Sequence, residues 1–263
     1  MSRPIHTRGL VLRRTDWSET SQIVTVDTRD HGIVDLLAKG SRRPARRSSS
    51  FAEPLDLGGW YDLVYRPRKG DLHLAVEARL IEGFPHLRDD LGAWLEANGI
   101  LDLLRASFSP GDPHPALLRS ALSCLKLLSV GRARLALRDR FVIELLDRSG
   151  VWSVGDNCAN CEAEIPRGAA HWHAPAALLC AGCRTGGDRP VPEELRTLLG
   201  TLQSTAWGNI PSLVAPEPLL AAIWERLREA LLHHLERAPR SLRYLRAGGP
   251  PGTGAPLRSP SPR

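Results

Sequence analysis

The feature that most constrains this chain is a pair of cysteine pairs, Cys158-x2-Cys161 and Cys180-x2-Cys183, with eighteen residues between them. Each pair offers two sulfurs from one tight turn, and two such turns complete a tetrahedron of thiolates about 2.3 Å from a zinc ion. A four-sulfur shell leaves no position for water, so this zinc is expected to fold its module and to catalyse nothing. The residues before the second cysteine of each pair are Asn160 and Gly182. These are the residue types that most readily take a left-handed backbone, and each turn is expected to use that freedom. His171 and His173 lie between the pairs and are read as ordinary loop histidines, since four cysteines already saturate the ion.

Two disulfides would be the rival use of four cysteines, and they belong to exported chains. The opening MSRPIHTRG has no apolar stretch of signal-peptide length behind it, and no run approaches roughly 18 apolar residues. The chain is therefore expected to be soluble, cytoplasmic and without a membrane partner. A redox dithiol would need one such pair beside a βαβ unit, and no such unit is found. Cys124, on the apolar side of a helical stretch, reads as a packing residue.

Upstream of residue 83 the pattern is that of short strands. Residues 10–12, 23–26, 33–38, 60–65 and 72–81 are rich in β-branched, leucine or aromatic side chains. Asp30-His31-Gly32 and residues 66–70 supply turns between them. In the last segment Leu72, Leu74, Val76 and Ala78 alternate with neighbours that include Asp71, His73 and Glu77, which predicts that this face of the strand is buried. Five short strands within about 80 residues suit a small barrel of the OB type, and an SH3-like barrel would give a similar pattern.

After Pro85 the apolar period becomes 3.6. Leu91, Trp94, Leu95, Leu101, Leu104 and Phe108 form one stripe; Phe141, Val142, Leu145 and Leu146 form another; residues 116–130 lie between as a further helix. Regular periodicity lapses over residues 158–189, where the metal module interrupts the helical region. Helices return at residues 192–207 and 217–237, the latter with Leu220, Ile223, Trp224, Leu227, Leu231 and Leu235 on one face. The expected fold class is α+β and multidomain: a barrel over residues 1–82, a helical domain over 83–157 and 190–246, and the four-cysteine module over 158–189. Residues 247–263, rich in Gly, Pro and Ser, are expected to form a disordered tail.

The net charge of +6 and pI near 9.4 matter through their distribution. Residues 237–263 carry six arginines and no acid, and the string AKGSRRPARRSSS carries Lys39, Arg42, Arg43, Arg46 and Arg47, again with no acid. Arginine forks match phosphate oxygens, and a basic loop at the rim of a small barrel can follow a nucleic-acid backbone without reading sequence. A solvated linker would have the same composition. Trp17, Phe51, Trp60 and Tyr61 are near enough in sequence to stack on bases, although each also suits a core.

The segments DWSETSQIVTVDTRDHG, LLAKGSRRP and RSLRYL, set in this order around the paired CxxC turns, resemble the RecO family of bacterial recombination mediators. The similarity spans about residues 3–246 and is most specific over residues 19–32 and 39–43. It implies an N-terminal OB-fold, a helical C-terminal region with a zinc module, and DNA contacts at Lys39 and Arg42. It also implies binding of single- and double-stranded DNA, annealing of complementary strands, and work with RecR and single-stranded DNA-binding protein in loading recombinase. The chain departs from the family pattern at Val26-Asp27, where an apolar-aromatic pair is usual, and in its long arginine-rich loop.

A metal-dependent nucleic-acid-processing enzyme would need a motif that is missing: no HExxH, GxxxxGK[ST] or GxSxG string occurs. The expectation is a non-enzymatic, nucleoid-associated DNA-binding protein, with a zinc-ribbon factor of transcription or translation as the alternative.

Overall fold

The computed structural model describes residues 3–43 and 51–245. Arg46, Arg47 and the tail expected over residues 247–263 lie outside the described residues. The described chain falls into two compact units. One comprises residues 1–86 and 97–122, the other residues 87–96 and 123–263.

In the first unit five strands close into a barrel: β1 (Ile5–Ser18), β2 (Ser21–Thr28), β3 (Gly32–Ala38), β4 (Trp60–Arg66) and β5 (Leu72–Glu82). Neighbours run β1-β2-β3-β5-β4, with β4 returning to β1. The β3–β5 pairing is parallel and the other four are antiparallel. This is an OB-like barrel, so the strand segments read from the sequence are all present. Its interior is filled by Val11, Val24, Val26, Leu36, Leu63 and their neighbours, and closure pairs every strand on both sides over at least part of its length.

Two details of the strands differ from the alternation. Strand β1 extends well past residue 12, and its last six residues, 13–18, are exposed while still pairing with β2. In β5 the buried residues are Ala75 and Ala78, whereas Leu72 and Leu80 are exposed. The register explains the shift: Val64 faces Glu77 and Tyr65 faces Ala75, so a bulge at Val76 flips the phase by one residue.

Helix α1 (Leu91–Ser107) and helix α2 (Pro115–Leu128) follow, and the linker between them meets the barrel. The Gly111 N–H donates to the Ile33 carbonyl at 3.2 Å. Gly32 has φ of +61°, and a Cβ there would stand 2.4 Å from the Asp112 carbonyl oxygen. The turn that joins β2 to β3 therefore requires glycine twice over, for its left-handed backbone and for this close approach.

The second unit is built on α3 (Arg134–Arg148), α4 (Glu193–Ser204) and α5 (Glu217–His234). The expected stripe residues on α3 and α5 are buried, as is Leu235 just past α5, whereas of the stripe expected from Leu91 to Phe108 only Leu101 and Leu104 are buried and Leu91 is exposed. The centre of this unit is polar. Arg138, fully buried, donates to Asp139 Oδ1 at 2.8 Å from Nε, lies 3.4 Å from Glu96 Oε1, and stacks 3.9 Å above the Trp224 ring. Burial pushes Glu96 up to about 7 and Asp139 up to about 6, despite the guanidinium that faces them both. Cys124 is a packing residue as expected: it is fully buried, and its thiol points at the Leu137 carbonyl. No helix among the described residues is long and apolar enough to cross a membrane.

Candidate nucleic-acid interface and metal centre

The basic segment leaves the barrel from the end of β3, and a buried glutamine fixes how it leaves. Gln22, on β2, accepts from Ser41 Oγ (3.0 Å) and from the Leu55 N–H (3.1 Å), and it donates to the Leu55 carbonyl (3.3 Å). One side chain thus pins residues 41 and 55 on either side of the arginine-rich stretch. Gly40, with φ of +77°, turns the chain between Lys39 and Ser41. Lys39, Arg42 and Arg43 are all exposed. Arg42 reaches back to the β1–β2 hairpin, donating to the Ser18 carbonyl at 3.1 Å and lying 3.4 Å from Asp16. Between these two anchors sits Trp17, 66% exposed.

The aromatic residues separate cleanly. Phe51 and Tyr61 are core, Trp60 is half-buried, and Trp17 stands in solvent. The end of β1, with Arg13, Arg14 and Trp17 beside Arg42, is the part of this surface that strand periodicity did not show. Its signal was the run RRTDWSET, polar on both alternations around one tryptophan. Arg14 is committed to an ion pair with Asp56 at 2.9 Å, while Arg13 makes no ion pair among the described residues.

The four cysteines come together. Their sulfurs all lie within 4.8 Å of one another, and Cys161 and Cys180 are 3.8 Å apart. Sulfurs at about 2.3 Å from one tetrahedral ion are separated by about 3.8 Å, so the donor set fits a metal of that geometry. The Cys180 N–H donates to Cys158 Sγ at 3.3 Å, which is the main reason that the Cys158 thiol is held below its ordinary range. Asn160 Nδ2 donates to Cys183 Sγ at 3.4 Å.

The family model for the recombination protein O N terminus matches residues 1–84, and the one for its C terminus matches residues 88–243. A protein of Anaeromyxobacter sp. (strain K) is 32% identical over 92% of this chain and 96% of its own length. One of Geobacter sulfurreducens is 33% identical over 92% and 98%. Both carry the name DNA repair protein RecO.

The chain belongs to the RecO family. The N-terminal RecO match covers the barrel, and the C-terminal match covers the helices together with the cysteine cluster. Within this RecO frame two expectations about the cysteine turns are corrected. Neither Asn160 nor Gly182 has positive φ; the left-handed residue is Glu162, just past Cys161. The turns are closed by right-handed backbone bonds such as Cys183 N–H to the Cys180 carbonyl, and Asn160 contributes a donor to sulfur instead of a backbone reversal. His171 and His173 are on a strand, β6 (His171–His173), which pairs with β7 (Ala177–Leu179) and β8 (Arg189–Pro190). Arg184 Nη1 is 3.2 Å from His171 Nε2, and because arginine can only donate, that nitrogen accepts and Nδ1 carries the proton toward the Ala169 carbonyl. Both ring nitrogens are used, and neither histidine joins the sulfur cluster.

The module is fastened to its helices. Arg196 of α4 donates to the carbonyls of Ile165 (2.9 Å) and Asp156 (3.3 Å), and Gln203 to that of Val154 (3.0 Å). Arg226 of α5 stacks 5.4 Å from the centre of Trp172.

Proposed function

We propose that this chain is a recombination mediator: it binds single- and double-stranded DNA, anneals complementary strands, and helps to load recombinase together with RecR and single-stranded DNA-binding protein. The observation that carries this reading is the rim of the OB-like barrel, where Lys39, Arg42 and Arg43 are exposed beside a solvent-facing Trp17. Phosphates would be met by the cations and one base by the indole, the combination that single-strand binders use without sequence preference. Arg46 and Arg47 extend the same charge and belong to the proposed contact set. The barrel, residues 1–82, holds DNA; the helical parts, 83–157 and 190–246, dock protein partners.

Cys158, Cys161, Cys180 and Cys183 would hold one structural zinc ion, which keeps the module over 158–189 folded. The protein works without catalysing a reaction, in the cytoplasm at the nucleoid.

Fluorescence anisotropy with a labelled oligonucleotide tests the DNA part. Binding is expected at low salt and to fall steeply as salt rises, with a log–log slope of about −0.7 per phosphate neutralised on a single strand. The combined Lys39→Ala, Arg42→Ala and Arg43→Ala substitution should flatten that slope by about two units. Unchanged affinity in this variant overturns the assignment of the rim. Faster pairing of two complementary strands coated with single-stranded DNA-binding protein tests the mediator part.

A further inference from the structure

We infer that the barrel carries a second nucleotide-binding pocket, at the end opposite the basic rim, which takes one nucleotide of single-stranded DNA. This rests on the DNA-binding reading above. The pocket is a cavity of about 300 Å³ within the first unit, lined by Arg8 of β1, Arg29 of the β2–β3 turn, Trp60 at the start of β4, and Leu118, Arg119 and Leu122 of α2. Leu118, Arg119 and Leu122 recur at helical spacing, so they present one face of α2. The Arg29 N–H donates to the Arg8 carbonyl at 2.9 Å, which holds the two arginine-bearing segments side by side.

Its chemistry is specific in two respects. The lining contributes three arginines and no acid, with Asp30 just outside it 3.6 Å from Arg29, so its charge is predominantly positive and an anion complements it. The remaining wall is apolar and includes a half-buried indole, so the anion must bring a flat or apolar part with it. A nucleotide has both, a base for Trp60 and the leucines and a phosphate for the guanidinium groups. A free phosphate would leave the apolar wall uncovered.

Position favours a DNA strand over other ligands with the same two parts. Strand β2 runs from Ser21, whose hydroxyl accepts from Gly40 of the basic rim, to Thr28, next to Arg29. Its eight residues span roughly 25 Å at about 3.3 Å each. Strand β1 has Arg8 toward the pocket end and Arg13 with Trp17 toward the rim end. Both ends of one barrel thus offer arginine with tryptophan, and a polyanion with regularly repeated charges and bases can meet both.

The test uses the full chain, with labelled dT20 at low salt. Arg8→Ala with Arg29→Ala should weaken binding about tenfold and reduce the salt slope, and Trp60→Ala should weaken it by a similar factor while Trp60→Phe restores most of it. Melting curves by circular dichroism show whether each variant is folded, and the arginine pair, being exposed, remains informative if Trp60→Ala is not. The Lys39, Arg42 and Arg43 variant combined with the pocket variant should lose more than either alone. If dT20 affinity stays within twofold in the pocket variants while the rim variant is impaired, the pocket is not a DNA site and the rim reading stands. If wild type ignores dT20 altogether, both fall. If a peptide of acidic residues ending in an aromatic one binds, and only its binding is lost in the pocket variants, the site belongs to a protein ligand and the inference is overturned.

Discussion

The two units solve the problem of holding themselves together by different means. The barrel is closed by its own backbone ladders around a core of valines and leucines. The helical unit places a fully buried arginine between two buried carboxylates at its centre and gathers four thiols at its side. Closure by backbone hydrogen bonds needs no metal. Closure by thiols and charge depends on what is dissolved. Metal, pH and mutation should therefore act unequally on the two units, and four measurements can check it.

Metal removal has the largest expected effect. A structural zinc supplies apparent free energies of about 10–16 kcal/mol in isolated zinc-finger peptides at neutral pH. Chelation, or Cys161→Ser with Cys183→Ser, should therefore collapse the module and lower the melting of the helical unit, while the strand signal of the barrel persists in circular dichroism. Elemental analysis should give one zinc per chain. Simultaneous loss of both units would show that the contrast is false.

Next comes Arg138→Met. Removing the guanidinium leaves Glu96 and Asp139 buried without their cation, and breaking such a pair costs about 3–5 kcal/mol. Urea denaturation would report it. The triple change that replaces all three charges with apolar residues of similar volume should recover much of the loss.

On the barrel side, Gln22→Ala removes the link between residues 41 and 55 and strands a buried N–H at Leu55, for about 1–3 kcal/mol. DNA affinity should fall as well, although Gln22 is buried and touches no ligand, because the basic segment then lacks its fixed ends. A variant that loses stability but keeps full affinity would show that the anchoring has no bearing on binding.

The smallest effect is that of pH. Glu96, Asp139 and, in the barrel, Asp27 are raised by burial to about 7, about 6 and about 7. The folded state thus retains protons that the unfolded chain releases near pH 4. This contribution is fully present below that range and is lost as pH rises through 6 to 7. Both units should melt earlier at pH 8 than at pH 5.5. Below about pH 5 protonated thiols release zinc, so only the helical unit should pass through an optimum. Asp27→Asn should flatten the barrel's profile alone.

Much of this architecture is legible in the sequence. Strand segments, helical stripes and the cysteine cluster follow from periods of two, of 3.6 and from spacing, each a local pattern that packing happens to reinforce. The misses are places where a distant partner decides. A bulge at Val76 answers to β4, so of the alternating Leu72, Leu74, Val76 and Ala78 only Ala78, beyond the bulge, is buried, and before it Ala75 takes the inward place. The side chain of Asn160 answers to Cys183, twenty-three residues away. The exposed end of β1 exists because β4 stops pairing at Leu10 while β2 continues to Ser18; the run RRTDWSET hints at the exposure, but only the pairing shows that these residues form a strand. The polar centre was also hidden, since Glu96 and Arg138 look like helix-surface residues until they are seen to face each other, 3.4 Å apart and buried.

The division of the chain has a consequence for its birth on the ribosome. The barrel's unit takes in residues 97–122 as well as the strands, and the linker they contain caps the Gly32 turn. Synthesis at about 5–20 residues per second leaves the strands waiting several seconds for that last piece to emerge. During that interval the nascent barrel lacks both the Gly111–Ile33 hydrogen bond and the Asp112 backbone packed on Gly32, so its β2–β3 turn is the part that settles last.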